Sequence, residues 1–389
     1  MKNIITCNFE GDVKDKSLGI YIHIPFCIRK CNYCDFCSFP DTDGALVDHY
    51  INELINRINA FSLQYGKRYA DTVYFGGGTP TLISDKHFER VFEALNNSFY
   101  IDDNAEITVE CNPASIDEKG LFKLRQLGIN RISIGLQSAN DNELRSLGRL
   151  HSFDDFCNTF SFARKAGFDN ISVDLMYGIP EQTYESFEKT LSGIVELSPE
   201  HISAYGLKIE EGTAFYCNRD KLVLPDEDSE ADFYLLCCEY LSKNGFSRYE
   251  ISNFAKSGRE SRHNLKYWHL DDYIGFGVAA HSRFEGERFG NSRDIKAFLA
   301  GEDIVCEKQK ISEIAFLTEF VMLGLRLAKG INKKEFLTLA NKEFKQVYPM
   351  VDSYIDRGFM TESKENIFFT SKGFLVSNAI LSQMLDFEE

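Results

Sequence analysis

From about residue 18, short runs rich in β-branched and aromatic residues alternate with longer stretches whose apolar residues recur every three or four positions. "GIYIHIP", "DTVYFGGG", "AEITVECNP", "INRISIGLQS", "DNISVDLMYG" and "EHISAYGLKI" read as strands. "LVDHYINELINRINAF", "KHFERVFEALNNSF", "EKGLFKLRQLG", "SFDDFCNTFSFARKAG" and "TYESFEKTLSGIVEL" lie between them and read as helices. Each strand is largely apolar on both faces, which predicts a parallel sheet covered by helices. Polar and glycine residues gather at the C-terminal ends of the strands, where such folds place their sites.

After Leu224 the alternation breaks. A helix is predicted to start beyond Pro225, its first turn acidic to suit the helix dipole. An aromatic and polar region follows to about Phe284, and then "ISEIAFLTEFVMLGLRLAKG" predicts an amphipathic helix ending at a glycine cap. "NKKEFLTLANKEF" and the final segment complete a small helical domain. The expected divisions are an N-terminal segment, 1–17, a βα domain, 18–225, an extension, 226–300, and a C-terminal helical domain, 301–389.

The chain has 389 residues, 43% hydrophobic and 26% charged, a balance that supports one large core and a smaller one. A formal charge of −16 without a basic patch argues against nucleic acid as a partner. No apolar run is long enough to span a membrane and the first residues lack a signal-peptide pattern, so a cytoplasmic location is expected. Eleven cysteines, an odd number, argue against a complete disulfide framework.

Four of those cysteines fall in "HIPFCIRKCNYCDFCSFP" as Cys27, Cys31, Cys34 and Cys37. No second Cys-x2-Cys pair follows downstream to complete a zinc site, whereas an iron-sulfur cluster accepts closely spaced thiolates. Three ligands would leave one iron open to another molecule. Cys7, Cys111, Cys157, Cys217, Cys237, Cys238 and Cys306 stand alone or within apolar helical patterns and are read as packing residues.

Further along, "YFGGGTPT" ends a strand in three glycines, which let backbone approach a ligand closely and expose N–H groups to an anion. Glu110, Gln137 and Asp174 each close a strand, and Arg149 offers a planar cationic fork. Each alone could cap a helix; together they suggest one pocket. His263, Asn264, Tyr267 and Trp268, with His281 beyond, add aromatic and imidazole groups that suit a flat tetrapyrrole.

Cys-x3-Cys-x2-Cys with Tyr33 before the last cysteine closely resembles the radical S-adenosylmethionine superfamily. That resemblance implies a 4Fe-4S cluster on Cys27, Cys31 and Cys34, its fourth iron chelated by S-adenosylmethionine, and an α/β fold: a partial (β/α)6 TIM-like barrel with a smaller, mainly helical C-terminal domain. It further implies that Tyr21, Tyr33, Gly77, Gly78, Thr79, Glu110, Gln137, Arg149 and Asp174 contact S-adenosylmethionine. "GLQS", "DLMYGIP", "EISNFA", "HNLKYW" and "EFVMLGLRL" narrow the likeness to the branch of oxygen-independent coproporphyrinogen III oxidase, and within it to the shorter HemW family of haem chaperones. HemW is favoured by the short stretch before the first strand and by the His-Asn-x-x-Tyr motif, which implies haem held with help from His263 and passed to an acceptor haemoprotein, soluble or membrane-associated. The alternative is a porphyrinogen oxidase that decarboxylates propionates through a 5'-deoxyadenosyl radical; a radical enzyme on another substrate is a third reading. The electron donor is not implied. The oxidase pattern has its fourth cysteine where Phe36 stands here, so Cys37 inherits no role.

Overall fold

The computed structural model describes residues 17–40 and 44–385; Cys7 and nearly all of the expected N-terminal segment lie outside them. All six predicted strands form: β1 (Leu18–Ile24), β2 (Arg68–Gly77), β3 (Phe99–Cys111), β4 (Arg131–Gln137), β5 (Ile171–Tyr177) and β6 (His201–Gly206). They lie side by side in chain order and all run parallel. Parallel neighbours need crossovers, and the predicted helices supply them. These are α1 (Gly44–Tyr65), α2 (Asp85–Ser98), α3 (Glu118–Gln126), the short α4 (Asp141–Ser146) with α5 (Phe153–Lys165), and α6 (Tyr184–Leu197).

The local signals are ordinary ones. Ser84 caps α2 by accepting from the His87 N–H, and Ser152 caps α5 while Asp155 answers back to its N–H. Phe88, Val91, Phe92 and Leu95 of α2, and Phe156, Phe160 and Ala163 of α5, form buried stripes three and four residues apart. Each fully buried phenylalanine contributes about 1.5–3 kcal/mol over an exposed one.

One expectation is corrected. The strands are not apolar on both faces: Ile132, Ile134 and Leu136 of β4 are buried in the main core, while Arg131, Ser133, Gly135 and Gln137, alternating with them, line the barrel's cavity. The same division separates Val173 and Leu175 from Asp174 and Met176 on β5. Polar side chains are tolerated inside because they satisfy one another, as Ser172 Oγ does with His201 Nδ1 at 2.8 Å and Ser133 Oγ with Asp174 at 3.1 Å.

The extension supplies strands too short to give a sequence period. β7 (Ser247–Arg248) and β8 (Asn253–Ala255) follow α7 (Glu227–Lys243) and continue the sheet beyond β6. After α8 (Arg262–Trp268), β9 (Tyr273–Phe276) pairs parallel to the outer edge of β1. β10 (His281–Phe284), β11 (Glu287–Asn291) and β12 (Val305–Lys310) then add antiparallel strands, making a twelve-stranded open sheet among the described residues. The sheet thus runs past position 301, and the second core gathers on the residues after Lys310 together with Tyr234 of α7.

There, α9 (Glu313–Gly324) stops six residues before the expected cap at Gly330. The chain turns at Gly324, where a Cβ would stand 3.0 Å from Ile331, and Gly330, with φ +65°, lies flush against the Ile367 carbonyl. α10 (Lys333–Ala340) matches its prediction, but three short strands, Ile331–Asn332, Met360–Glu362 and Asn366–Phe369, give this mainly helical region a small antiparallel sheet. No helix among the described residues is long and apolar enough to cross a membrane.

Candidate functional site

β1 ends at Ile24 and hands the chain to the cysteine loop. Its base is stitched to the glycine turn after β2: the Gly78 N–H donates to the Ile24 carbonyl and the Thr79 N–H to the Phe26 carbonyl, both at 2.8 Å. The contact is possible only without a side chain, since a Cβ on Gly78 would lie 2.6 Å from the Phe26 oxygen. The far side of the loop is held by Asn32, whose N–H donates to the Leu147 carbonyl and whose amide donates to Ser146. Between these anchors Cys31 and Cys34 close a turn, the Cys34 N–H donating to Cys31.

The loop covers a cavity of about 330 Å3 at the C-terminal ends of the strands. Cys27, Cys31, Cys34, Tyr33, Gly77, Gly78, Thr79, Glu110, Gln137, Arg149 and Asp174 all line it. Tyr21 and His263 do not. Tyr21 lines an adjoining cavity, about 490 Å3, together with His23, Cys37, Tyr267 and His281; Gly77 and Glu110 border both.

Arg149 organises the cavity wall. One nitrogen donates to Cys31 Sγ at 3.5 Å, and the other donates to Asn112 Oδ1 at 2.7 Å and to the Gly135 carbonyl at 2.6 Å. That carbonyl sits where the β4 ladder slips register, between Gly135 and Gln137. Gln137 closes the irregularity with φ +76°, a left-handed conformation that costs a non-glycine residue about 1 kcal/mol or more. Burial disfavours the charge of Arg149, but Tyr33 and the Cys31 sulfur outweigh it and hold the guanidinium charged. Asn112 also donates to Thr79 Oγ1 at 2.7 Å, and Thr79 Oγ1 lies 3.7 Å from Cys27 Sγ.

Two carboxylates sit deeper. Glu110 accepts from the Tyr74 hydroxyl at 2.9 Å and from the Gly77 N–H at 3.0 Å, yet burial raises its pKa to about 7. Asp174 is raised as well, chiefly by burial, and Arg131 tempers both. Burial also raises the Cys27 and Cys34 thiols, so loading a metal there must expel protons. The glycine turn differs from expectation, for the N–H groups of Gly77, Gly78 and Thr79 are all spent within the protein. It works by close approach rather than by offering free donors.

His263 is 1% exposed, its Nδ1 bonded to Thr72 Oγ1 at 2.8 Å and its Nε2 to the Tyr267 hydroxyl at 2.7 Å. Tyr74 and Tyr21 stack beside it, and burial lowers its pKa to about 3. Both ring nitrogens are therefore occupied in this arrangement. Sequence reading passed over Arg131, Ser133, Asn112, Ser203 and Tyr205, all of which line the cavity. The period-two alternation in "RISIGLQ" and "HISAYG" carried the signal for four of them.

The comparisons agree with this architecture. Residues 21–193 match the radical SAM superfamily and residues 311–376 the HemN C-terminal domain. The coproporphyrinogen III oxidase (HemN) of Escherichia coli, a radical SAM enzyme, superposes with a TM-score of 0.85 over 96% of this chain and 91% of its own, at 23% identity, a likeness of fold. The fold and the first match define a radical S-adenosylmethionine protein, a class whose members hold a 4Fe-4S cluster and S-adenosylmethionine. The heme chaperone HemW of Bacillus subtilis is 34% identical over 94% of this chain and 98% of its own, and that of Escherichia coli 32% identical over 96% and 99%. The chain belongs to the HemW family.

The cavity suits those cofactors. Three thiols line one wall, the Arg149 fork lies against Cys31, and the buried Arg149 Nε has no partner among the described residues. No three His, Cys, Asp or Glu side chains among the described residues converge on a single-ion position. Ligands to separate corner irons of a cluster have no need to.

Proposed function

We propose that this chain is a haem-handling radical S-adenosylmethionine protein, which holds a 4Fe-4S cluster on Cys27, Cys31 and Cys34, binds S-adenosylmethionine beside it, and delivers haem to acceptor haemoproteins. The observation that carries the reading is the convergence of three thiols, the Arg149 fork and the buried Glu110 on one cavity, in a chain alike over nearly its whole length to proteins named heme chaperones. When bound, the cluster supplies the electron that cleaves S-adenosylmethionine. Arg149 balances thiolate charge at Cys31, Asn112 fixes Arg149 against Thr79, and Glu110 and Asp174 present acceptors to a polar cofactor.

Haem is cargo in this reading. Ligation by His263 through Nε2 requires the Tyr267 hydroxyl to withdraw, so Tyr267→Phe should ease it. The test uses anaerobically reconstituted protein, titrated with haem and separately incubated with S-adenosylmethionine, reductant and coproporphyrinogen III. Stoichiometric haem uptake, its transfer to an apo-haemoprotein and no porphyrinogen conversion are expected. Formation of protoporphyrinogen would replace this reading with the oxidase one.

A further inference from the structure

A second, smaller cavity of about 110 Å3 also reaches Cys31. Ile28, Arg29 and Leu150 line it, and Ile28 is 56% and Leu150 60% exposed. Large apolar side chains so open to solvent, side by side at one opening, are characteristic of contact surfaces. Their neighbours reverse the sign of the molecule: Arg29 and Lys30 are consecutive exposed cations in a chain of formal charge −16. Arg29 has no ion-pair partner among the described residues, whereas the carboxylate of the same loop, Asp35, is engaged by Arg293 at 3.5 Å. The patch is small, which fits the brief encounters of electron carriers, whose interfaces bury less than about 1,200 Å2.

We infer that Ile28, Arg29, Lys30 and Leu150 form the docking surface for a small acidic one-electron carrier, whose electron enters at Cys31. This rests on the cluster assignment made above. One electron leaves the carrier and reduces the cluster by one, and no proton or group is transferred. Charge complementarity makes the encounter fast at low ionic strength, and salt slows it.

The probe is a reduced, acidic plant-type 2Fe-2S ferredoxin, a low-potential one-electron carrier. Cluster bleaching is followed by stopped flow at low and high salt, with dithionite as a small reductant in parallel. Binding of oxidised ferredoxin to the iron-free chain is measured separately. In the double variant Arg29→Glu, Lys30→Glu, the ferredoxin-driven rate at low salt should fall about tenfold or more and lose its salt dependence. Leu150→Ser should weaken ferredoxin binding, and dithionite reduction should stay unchanged in both variants. Ferredoxin rates and binding that match the unsubstituted protein would overturn the docking surface. Failure of dithionite to reduce the unsubstituted protein would instead overturn the cluster assignment, and the binding measurement would still decide the surface.

Discussion

Glu110 shows how far one side chain's chemistry depends on its surroundings. Burial pushes its pKa to about 7, and Asp174 pushes the same way, although Tyr74 and the Gly77 N–H favour the charged form. A carboxyl raised on folding holds a proton that the unfolded chain has already lost above about pH 4.5. Its contribution to stability therefore falls as pH rises from about 4.5 to 7. Urea denaturation of wild type and Glu110→Gln at pH 5, 6 and 7 should show the variant gaining on wild type by on the order of 1–3 kcal/mol across that window. A constant difference would mean that Glu110 is ionised throughout. The cysteines divide just as sharply. Cys27 lines the main cavity, while Cys37 lines the adjoining one, its sulfur 3.9 Å from the Arg293 carbonyl and its own carbonyl accepting from His23. Cys27→Ser should abolish iron binding, and Cys37→Ser should leave iron content and visible spectrum intact, as measured by metal analysis after anaerobic reconstitution.

Elements explain why part of the site could be read in the sequence and part could not. Four clustered thiols pointed to a metal site, and the resemblance to the radical S-adenosylmethionine pattern singled out Cys27, Cys31 and Cys34, all of which line the cavity. Glu110 and Gln137 were legible because they stand at the C-terminal ends of β3 and β4, which a parallel sheet brings together; Asp174, expected at a strand end, stands in the middle of β5 and lines the cavity from there. Asn112 was not legible, for its importance lies in reaching both Thr79 and Arg149, partners 33 and 37 residues away. β9 was invisible for another reason: a four-residue strand gives no period, and only its pairing with β1 defines it. The glycine turn borders the cavity, and its N–H groups bond within the protein. Because Gly78 abuts the Phe26 backbone, Gly78→Ala forces the base of the cysteine loop to shift. A destabilisation of about 1–3 kcal/mol in thermal or urea unfolding is expected, together with reduced iron content. At Gly66, by contrast, a Cβ meets nothing within 4 Å, so alanine there should cost only the strain of its φ of +73° and spare the cluster.

At the scale of the whole molecule, the two cores meet around α7 and β5, where Cys238 and Tyr177 pack against both. Tyr234 of α7 is buried in the C-terminal core, and Arg248 of β7 bonds to its hydroxyl. The Arg248 guanidinium also stacks over Phe374, 3.8 Å from the ring centroid, and the Ala328 N–H donates to the Tyr249 carbonyl at 2.9 Å. β7 sits at the edge of the same sheet whose β6 carries Ser203 and Tyr205 into the cavity, so the C-terminal unit braces the rim of the site. Arg248 touches both Tyr234 and Phe374, and its planar charged face makes a contact that alanine cannot replace. Arg248→Ala should therefore lower stability by about 1–3 kcal/mol, from the lost hydrogen bond and cation–π contact together. The loss should concentrate at the junction, so limited proteolysis should accelerate between Lys310 and Glu313 while the iron content of the cysteine loop holds. Faster cleavage spread evenly over the chain would show that Arg248 supports the sheet edge itself rather than the seat of the second core.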